Sequence, residues 1–213
     1  MADMRRAKNG RIGWYSPDPR AVLPLAVGGL HVARSLARTI RRGVFEITTD
    51  EAFEGVMRAC AAPRKGDGSE GAWISEEMIG AYTGLHRLGR AHSIEAWRGG
   101  RGNGSERRLV GGIYGVSIGA AFFAESMFCR PDLGGTDASS VCLVTLVGQL
   151  RRGGYRLLDV QLANAHTRRF GAVELGRKEF LGVLGESLLR EGCWGPLPGF
   201  LGAAGGAVSS DNV

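Results

Sequence analysis

Residues 138–152 (Ala-Ser-Ser-Val-Cys-Leu-Val-Thr-Leu-Val-Gly-Gln-Leu-Arg-Arg) are apolar almost all round a helix, and Gly153-Gly154 closes them. A surface helix keeps one polar face; a helix without one has to be covered on every side by the rest of the chain. The fold is therefore expected to be built around this segment. A short aliphatic run follows it, Tyr155–Gln161, with the composition of a strand. At 213 residues, 44% hydrophobic and 23% charged, the chain is long enough to bury such a helix within a single domain.

Other elements fit around these two. Phe53, Val56, Met57 and Cys60 share a helical face after a Thr49/Asp50 start. Met78, Tyr82 and Leu85 do the same after the N-cap residue Ser75, with Gly89 as the stop. Phe180, Leu181, Leu184 and Leu188 mark the last helix, ended by Gly192, and a basic helix runs from about Val32 to Arg42. Strands are expected at Val44–Thr48, His92–Trp97, Leu109–Val116, Ile118–Phe123 and Tyr155–Gln161. A hairpin interleaved with helices that pack on it reads as α+β with a mixed sheet. The glycine-rich, charged stretch Arg98–Arg108 is a loop between two strands, and the Gly/Ala/Pro/Ser-rich tail, residues 191–213, is expected to be disordered.

Several function classes fall away. No apolar run approaches the ~20 residues of a membrane-spanning helix, and no apolar segment follows the basic start Met1–Arg6, so a cytoplasmic protein is expected. Cys60, Cys129, Cys142 and Cys193 form no C-x-x-C pair, so neither a metal site nor a disulfide framework is indicated. Gly100-x-Gly102-x-Gly104 resembles a phosphate cradle, but such a cradle opens a helix, and a strand-like Leu109-Val110 follows here. That argues against nucleotide and coenzyme A cofactors alike. A net charge of +6 fits an acidic partner such as nucleic acid. Arg34, Arg38, Arg41 and Arg42 share one helical face over ~12 Å, suited to a phosphate backbone or simply to water.

The chemistry is expected at Leu158-Asp159-Val160-Gln161. On a strand, Asp159 and Gln161 would point to one face roughly 6.6 Å apart. A carboxylate among aliphatic neighbours is costly unless hydrogen-bonded. Two readings stand: a relay in which the carboxylate polarises the amide and the amide orients a reacting amine, or a buried acid bonded to loop backbone. Trp73, just before a helix start, is either core or a stacking platform for a nucleobase.

Taken in order, several runs resemble the leucyl/phenylalanyl-tRNA–protein transferase family: Trp14-Tyr-Ser-Pro-Asp-Pro-Arg20, His31-Val-Ala-Arg-Ser-Leu36, Trp73-Ile-Ser-Glu-Glu-Met78, Leu85–Glu95, Leu109–Val116, Glu125-Ser-Met-Phe128, Leu158–Gln161 and His166. The resemblance covers residues 12–190, taken as one domain after a short basic segment, residues 1–11. It implies a GNAT-like fold and transfer of Leu or Phe, with Met as a further donor, from aminoacyl-tRNA to proteins with N-terminal Arg or Lys, marking them for degradation. A monomer is expected, and aminolysis of an activated ester needs no cofactor or metal. Residue by residue, it assigns Asp159 and Gln161 to the relay and Glu125 to the same site. Ile113, Phe122, Leu146 and Leu150 become the aminoacyl pocket, Trp73 the adenosine contact, and Arg34, Arg38, Arg41 and Arg42 the tRNA face. Three departures stand out. The family's preceding segment, with its Gly-Ile-Phe-Pro-Trp run, is represented only by Met1–Arg11; Asp137-Ala138-Ser139-Ser140 lacks the family's lysine; and loop 98–108 is longer. Two alternatives remain: a related acyl- or aminoacyltransferase with another amine acceptor, and a non-catalytic tRNA-binding relative.

Overall fold

The computed structural model describes residues 3–6, 12–62, 74–100 and 106–197. Its elements are β1 (Asp3–Arg6), β2 (Ile12–Tyr15), β3 (Arg20–Leu23), α1 (Arg34–Arg41), β4 (Glu46–Thr49), α2 (Phe53–Ala61), α3 (Glu76–Arg87), β5 (Ala91–Arg98), β6 (Arg108–Ile118), β7 (Ala121–Cys129), α4 (Ala138–Arg152), β8 (Leu157–Gln161), α5 (Ala165–Arg169), β9 (Val173–Leu175) and α6 (Arg177–Leu188). β1 and β2 pair with each other; the other seven strands form one sheet in the order β4-β5-β6-β7-β8-β3-β9. The architecture is α+β with a mixed sheet. Every neighbour in the large sheet is antiparallel except β7 and β8, which run parallel. A parallel pair requires a crossover, and α4 supplies it.

Strand alternation sends the sheet's apolar residues to two faces. Ile113, Phe122 and Leu158 pack with α1 and α4 around Leu36, Val141, Leu143, Leu146, Val147 and Leu150. On the opposite face, Tyr114 and Phe128 meet α2 and α3, while Phe123 and Leu157 meet Phe180 of α6. The apolar helix expected to be central is central: Leu143, Val147 and Leu150 of α4 are fully buried. Among the described residues, no helix is long and apolar enough to cross a membrane.

The differences from expectation have local causes. Ser75 does cap α3, accepting from the Met78 N–H at 3.3 Å. Asp50, by contrast, does not cap α2: its backbone is left-handed (φ 59°), and its carboxylate instead accepts from Ser93 N and bonds His92 Nδ1, both at 2.8 Å. Ile118 closes β6 rather than opening the next strand, and β7 starts at Ala121 and runs on past Phe123 to Cys129; a bulge interrupts the alternation by which its second half would be read. The tail expected to be disordered is packed over residues 191–197, where Trp194 and Leu197 lie against the α4-side core. Residues 198–213, and 101–105 of the long loop, lie outside the described residues.

Candidate active site

β8 carries the expected chemistry into the sheet's interior. Asp159 is fully buried, on the Leu157 side of the strand, where an unpaired carboxylate would be untenable. Arg20 on neighbouring β3, itself 3% exposed, resolves this: its Nε donates to Asp159 Oδ2 at 2.7 Å. The Arg20 guanidinium lies 5.3 Å from the Phe180 ring centre, and its Nη1 has no hydrogen-bond partner among the described residues. Asp159 Oδ1 accepts from the main-chain N–H of Gln161, also at 2.7 Å. This side-chain-to-backbone bond two residues on closes an Asx-type turn, and Gln161 adopts the left-handed region, φ 67°. Asp159 and Gln161 therefore do not stand side by side on a regular strand. The carboxylate fixes the backbone of Gln161, and the left-handed residue swings its amide towards β7.

There the amide meets the third residue assigned from sequence. Gln161 Nε2 donates to Glu125 Oε2 at 3.2 Å and to the Ala124 carbonyl at 3.4 Å. Glu125 is the extra residue of a β-bulge: Tyr114 pairs with Ser126 and Gly115 with Ala124, leaving Glu125 without an opposite residue on β6. The bulge reverses the alternation, so Phe122 and Ala124 before it and Met127 after it all face the α4 side. Bulges re-aim side chains; this one turns Glu125 towards the end of β8. Gly115 makes it possible, since a Cβ there would lie 2.2 Å from the Phe123 carbonyl oxygen. The parallel pairing runs from Ala121 opposite Leu157 to Phe123 opposite Asp159. Glu125 and Gln161 sit just past it, in the fork where the two strands part.

Ile113, Phe122, Leu146 and Leu150 fall in one cluster on the α4 side, each 0–1% exposed. They make a closed apolar wall next to the fork. Arg34, Arg38, Arg41 and Arg42 are exposed on α1 and its C-cap, opposite the buried Leu36. His166 lies in the first turn of α5, its ring 5.2 Å from that of Phe170; burial first, then Arg169, holds its pKa below the usual histidine value. Trp73 lies outside the described residues.

Sequence reasoning missed the role of Arg20. Its signal was available: a carboxylate buried among aliphatics needs a cation or several donors, and Arg20 opens the apolar run Ala21-Val22-Leu23. A second polar cluster joins Asp50, His86 and His92, one ligand atom from each lying within 4.8 Å of the others. The fold uses these same atoms: Asp50 holds Ser93 N and His92 Nδ1, and His86 Nδ1 lies 2.9 Å from the Ala91 carbonyl. The cluster ties the start of β5 to α3 and to the end of β4. Glu95, fully buried beside it, accepts from Ser93 Oγ and from Thr48 Oγ1; burial raises its pKa above the usual carboxylate value, against these two bonds.

Comparison with known proteins gives a consistent picture. The family model described as leucyl/phenylalanyl-tRNA protein transferase matches residues 22–185. The leucyl/phenylalanyl-tRNA–protein transferase of Rubrobacter xylanophilus is 52% identical over 179 residues, which cover 84% of this chain and 84% of that protein. The protein of the same name from Anaeromyxobacter sp. (strain K) is 51% identical over 175 residues, 82% of this chain and 69% of the relative. That of Oleidesulfovibrio alaskensis is 48% identical over 190 residues, 88% and 73% of the two chains.

Proposed function

The chain belongs to the leucyl/phenylalanyl-tRNA–protein transferase family, and from that premise we propose that it transfers an apolar aminoacyl group from tRNA to the N-terminal amine of an acceptor protein in the fork between β7 and β8. It is an aminoacyltransferase. In finer detail, we assign Leu and Phe as donors, N-terminal Arg or Lys as the acceptors, and degradation of the product as the outcome. The enzyme acts as a monomer in the cytoplasm, where charged tRNA is found. A GNAT-like fold is part of the same reading, supported by the mixed sheet with its single parallel pair and helices on both faces.

One observation carries the reading: the hydrogen-bonded series Arg20–Asp159–Gln161–Glu125 ends beside a fully apolar wall. In the reaction, the acceptor's amine nitrogen attacks the ester carbonyl carbon. A C–N bond forms, the ester C–O bond breaks, and the ribose oxygen of the tRNA leaves with a proton while the amine loses one. The ester is already activated, so the enzyme's contribution is placement and proton handling. Gln161 gives its amide N–H to Glu125, which leaves its carbonyl oxygen to accept from the attacking amine. Glu125 is the carboxylate beside that amine. Asp159 and Arg20 are positioning residues that hold the turn from which Gln161 projects. An apolar pocket separates neighbouring aliphatic side chains by only ~1–3 kcal/mol per methylene but rejects charged ones strongly.

The test is transfer of label from Leu-tRNA or Phe-tRNA to a peptide beginning with Arg or Lys. Label is expected on those peptides and not on one whose N-terminus is acetylated; no preference between the two would overturn the assignment. Gln161→Ala is expected to lower kcat by roughly 100-fold, with a much smaller change in KM for the tRNA. A change confined to KM would remove Gln161 from the chemical step.

The basic face gives a separate expectation. Replacing Arg34, Arg38, Arg41 and Arg42 together with alanine should weaken tRNA binding and flatten its salt dependence. At ~0.7–0.9 per phosphate contact, four contacts carry a slope of about 3 in log affinity against log salt. A slope unchanged across a salt titration would assign this face to solvent.

A further inference from the structure

Residues 191–197, beyond α6, pack against the core. α6 lies on the Phe123 and Leu157 face of the sheet, yet residues 191–197 end on the other. They pass round the end of the β6–β7 hairpin, where Gly192 N donates to the Gly119 carbonyl at 3.1 Å and Cys193 N donates to the Gly153 carbonyl at 2.9 Å. Glycine is required at 192, because a Cβ there would lie 2.6 Å from the Tyr155 ring. The strap then delivers Trp194 to the α4 side. Its ring stacks on Phe122, with centroids 5.5 Å apart and an interplanar angle of 15°, and on His92 at 4.3 Å and 11°. The indole N–H donates to Thr49 Oγ1 at 3.1 Å, and Gln149 Nε2 donates to the Gly195 carbonyl just beyond it. His92 is itself held by Asp50.

Phe122 occupies a definite place relative to the reacting groups. Along the α4-facing side of β7, Phe122 is followed by the partly buried Ala124, next to Glu125; along β8, Leu158 is followed by the partly buried Val160, next to Gln161. A donor whose ester sits between Glu125 and Gln161 sends its side chain past Ala124 and Val160, so Phe122 is the far wall. Ile113, Leu146 and Leu150 stand on a strand and a helix whose backbones are fixed by their ladders and turns. Phe122 also stands on a strand; its ring meets Tyr155 edge-on, with centroids 6.3 Å apart at 79°, and carries the Trp194 ring stacked on its face, so it gives way to a longer side chain only as those two rings do.

We propose that Trp194 is a specificity-determining positioning residue: by backing Phe122, it sets the depth of the aminoacyl pocket and so the largest donor side chain the enzyme accepts. This rests on the assignment of Ile113, Phe122, Leu146 and Leu150 to that pocket. It places a donor-selecting residue on the C-terminal strap, outside the sheet and helices that carry the other pocket residues.

The test compares kcat/KM for Leu-tRNA, Phe-tRNA and Trp-tRNA, with a peptide beginning with Arg as acceptor, in the wild-type enzyme and in Trp194→Ala, Trp194→Phe and Phe122→Ala. Trp194→Ala is expected to raise the ratio of Trp-tRNA to Leu-tRNA use by roughly tenfold or more, the scale on which apolar pockets discriminate by size. Trp194→Phe should shift the ratio the same way by a smaller factor. An equal fall for all three donors, with the ratios unchanged, would make Trp194 a structural residue only and overturn the proposal. If Trp194→Ala does not fold, an unchanged ratio in Trp194→Phe overturns it instead. Phe122→Ala separates the two levels. A shifted ratio there with none at position 194 defeats only this inference, whereas no shift at either position defeats the pocket assignment itself.

Discussion

Asp159→Ala is expected to lower transfer about 100-fold, the loss expected for Gln161, through which it acts, and also to destabilise the fold by about 3–5 kcal/mol. Considered on its strand alone, Asp159 fills no core, and its loss should leave the fold intact. Arg20 reverses that expectation. The pair is 4% and 0% exposed at its side chains, and Nη1 of Arg20 already lacks a partner among the described residues. Removing the carboxylate strands a guanidinium that water reaches poorly. Against a total stability of about 5–15 kcal/mol this is a large fraction, and it corresponds to a fall in Tm of about 6–20 °C for a chain of this size. Loss of activity in the single variant would therefore be ambiguous. The double variant Arg20→Met/Asp159→Leu removes the ambiguity, because replacing both members of a buried ion pair by apolar groups of similar volume is often neutral or stabilising. It is expected to melt near the wild-type temperature and still fail to transfer, since the turn that aims Gln161 would have lost its acceptor. A double variant with near-normal transfer would remove Asp159 and Arg20 from the mechanism.

The same pair marks where the sequence stops being readable. α4 could be read because its information is local: an apolar run of helical length, ended by Gly153-Gly154. The strand after it could be read for the same reason, and with it the presence of an acid and an amide in an aliphatic setting. Their geometry could not. It depends on Arg20, 139 residues away in the chain, and on a left-handed residue at Gln161, a position where propensity predicts none. Glu125 was assigned by resemblance rather than by pattern, because the bulge that presents it also breaks the alternation that would have extended β7 past Phe123. Trp194 was hidden by composition: a stretch of Gly, Pro and Leu reads as tail, and only tertiary packing distinguishes it from one. Asp50 misled for a related reason. A residue suited to capping a helix is equally suited to holding two groups of a neighbouring strand, and here the strand has it.

Gly115→Ala should be the most damaging small substitution in the sheet. The added Cβ would stand 2.2 Å from the Phe123 carbonyl oxygen and 2.5 Å from Phe122 Cε1. The ring can turn slightly; the carbonyl belongs to the ladder and cannot. Relief therefore requires β6 and β7 to part at the bulge, and the bulge sets both the direction of Glu125 and the position of the Ala124 carbonyl that Gln161 Nε2 approaches. Overpacking typically costs 1–3 kcal/mol, and contact with a fixed backbone oxygen puts this case near 3 kcal/mol, a fall in Tm of about 6–12 °C. Transfer should fall at least tenfold even at a temperature where the variant is fully folded, because the damage reaches the Glu125–Gln161 contact directly. Gly80→Ala supplies the control: on the exposed face of α3 its Cβ meets nothing within 4 Å, so it should raise stability by about 0.5–1 kcal/mol and leave transfer unchanged. The two substitutions add the same methyl group, so opposite outcomes isolate the bulge as their cause. A Gly115→Ala enzyme that melts and transfers like the wild type would show that the close approach of β6 to β7 is not what aims Glu125.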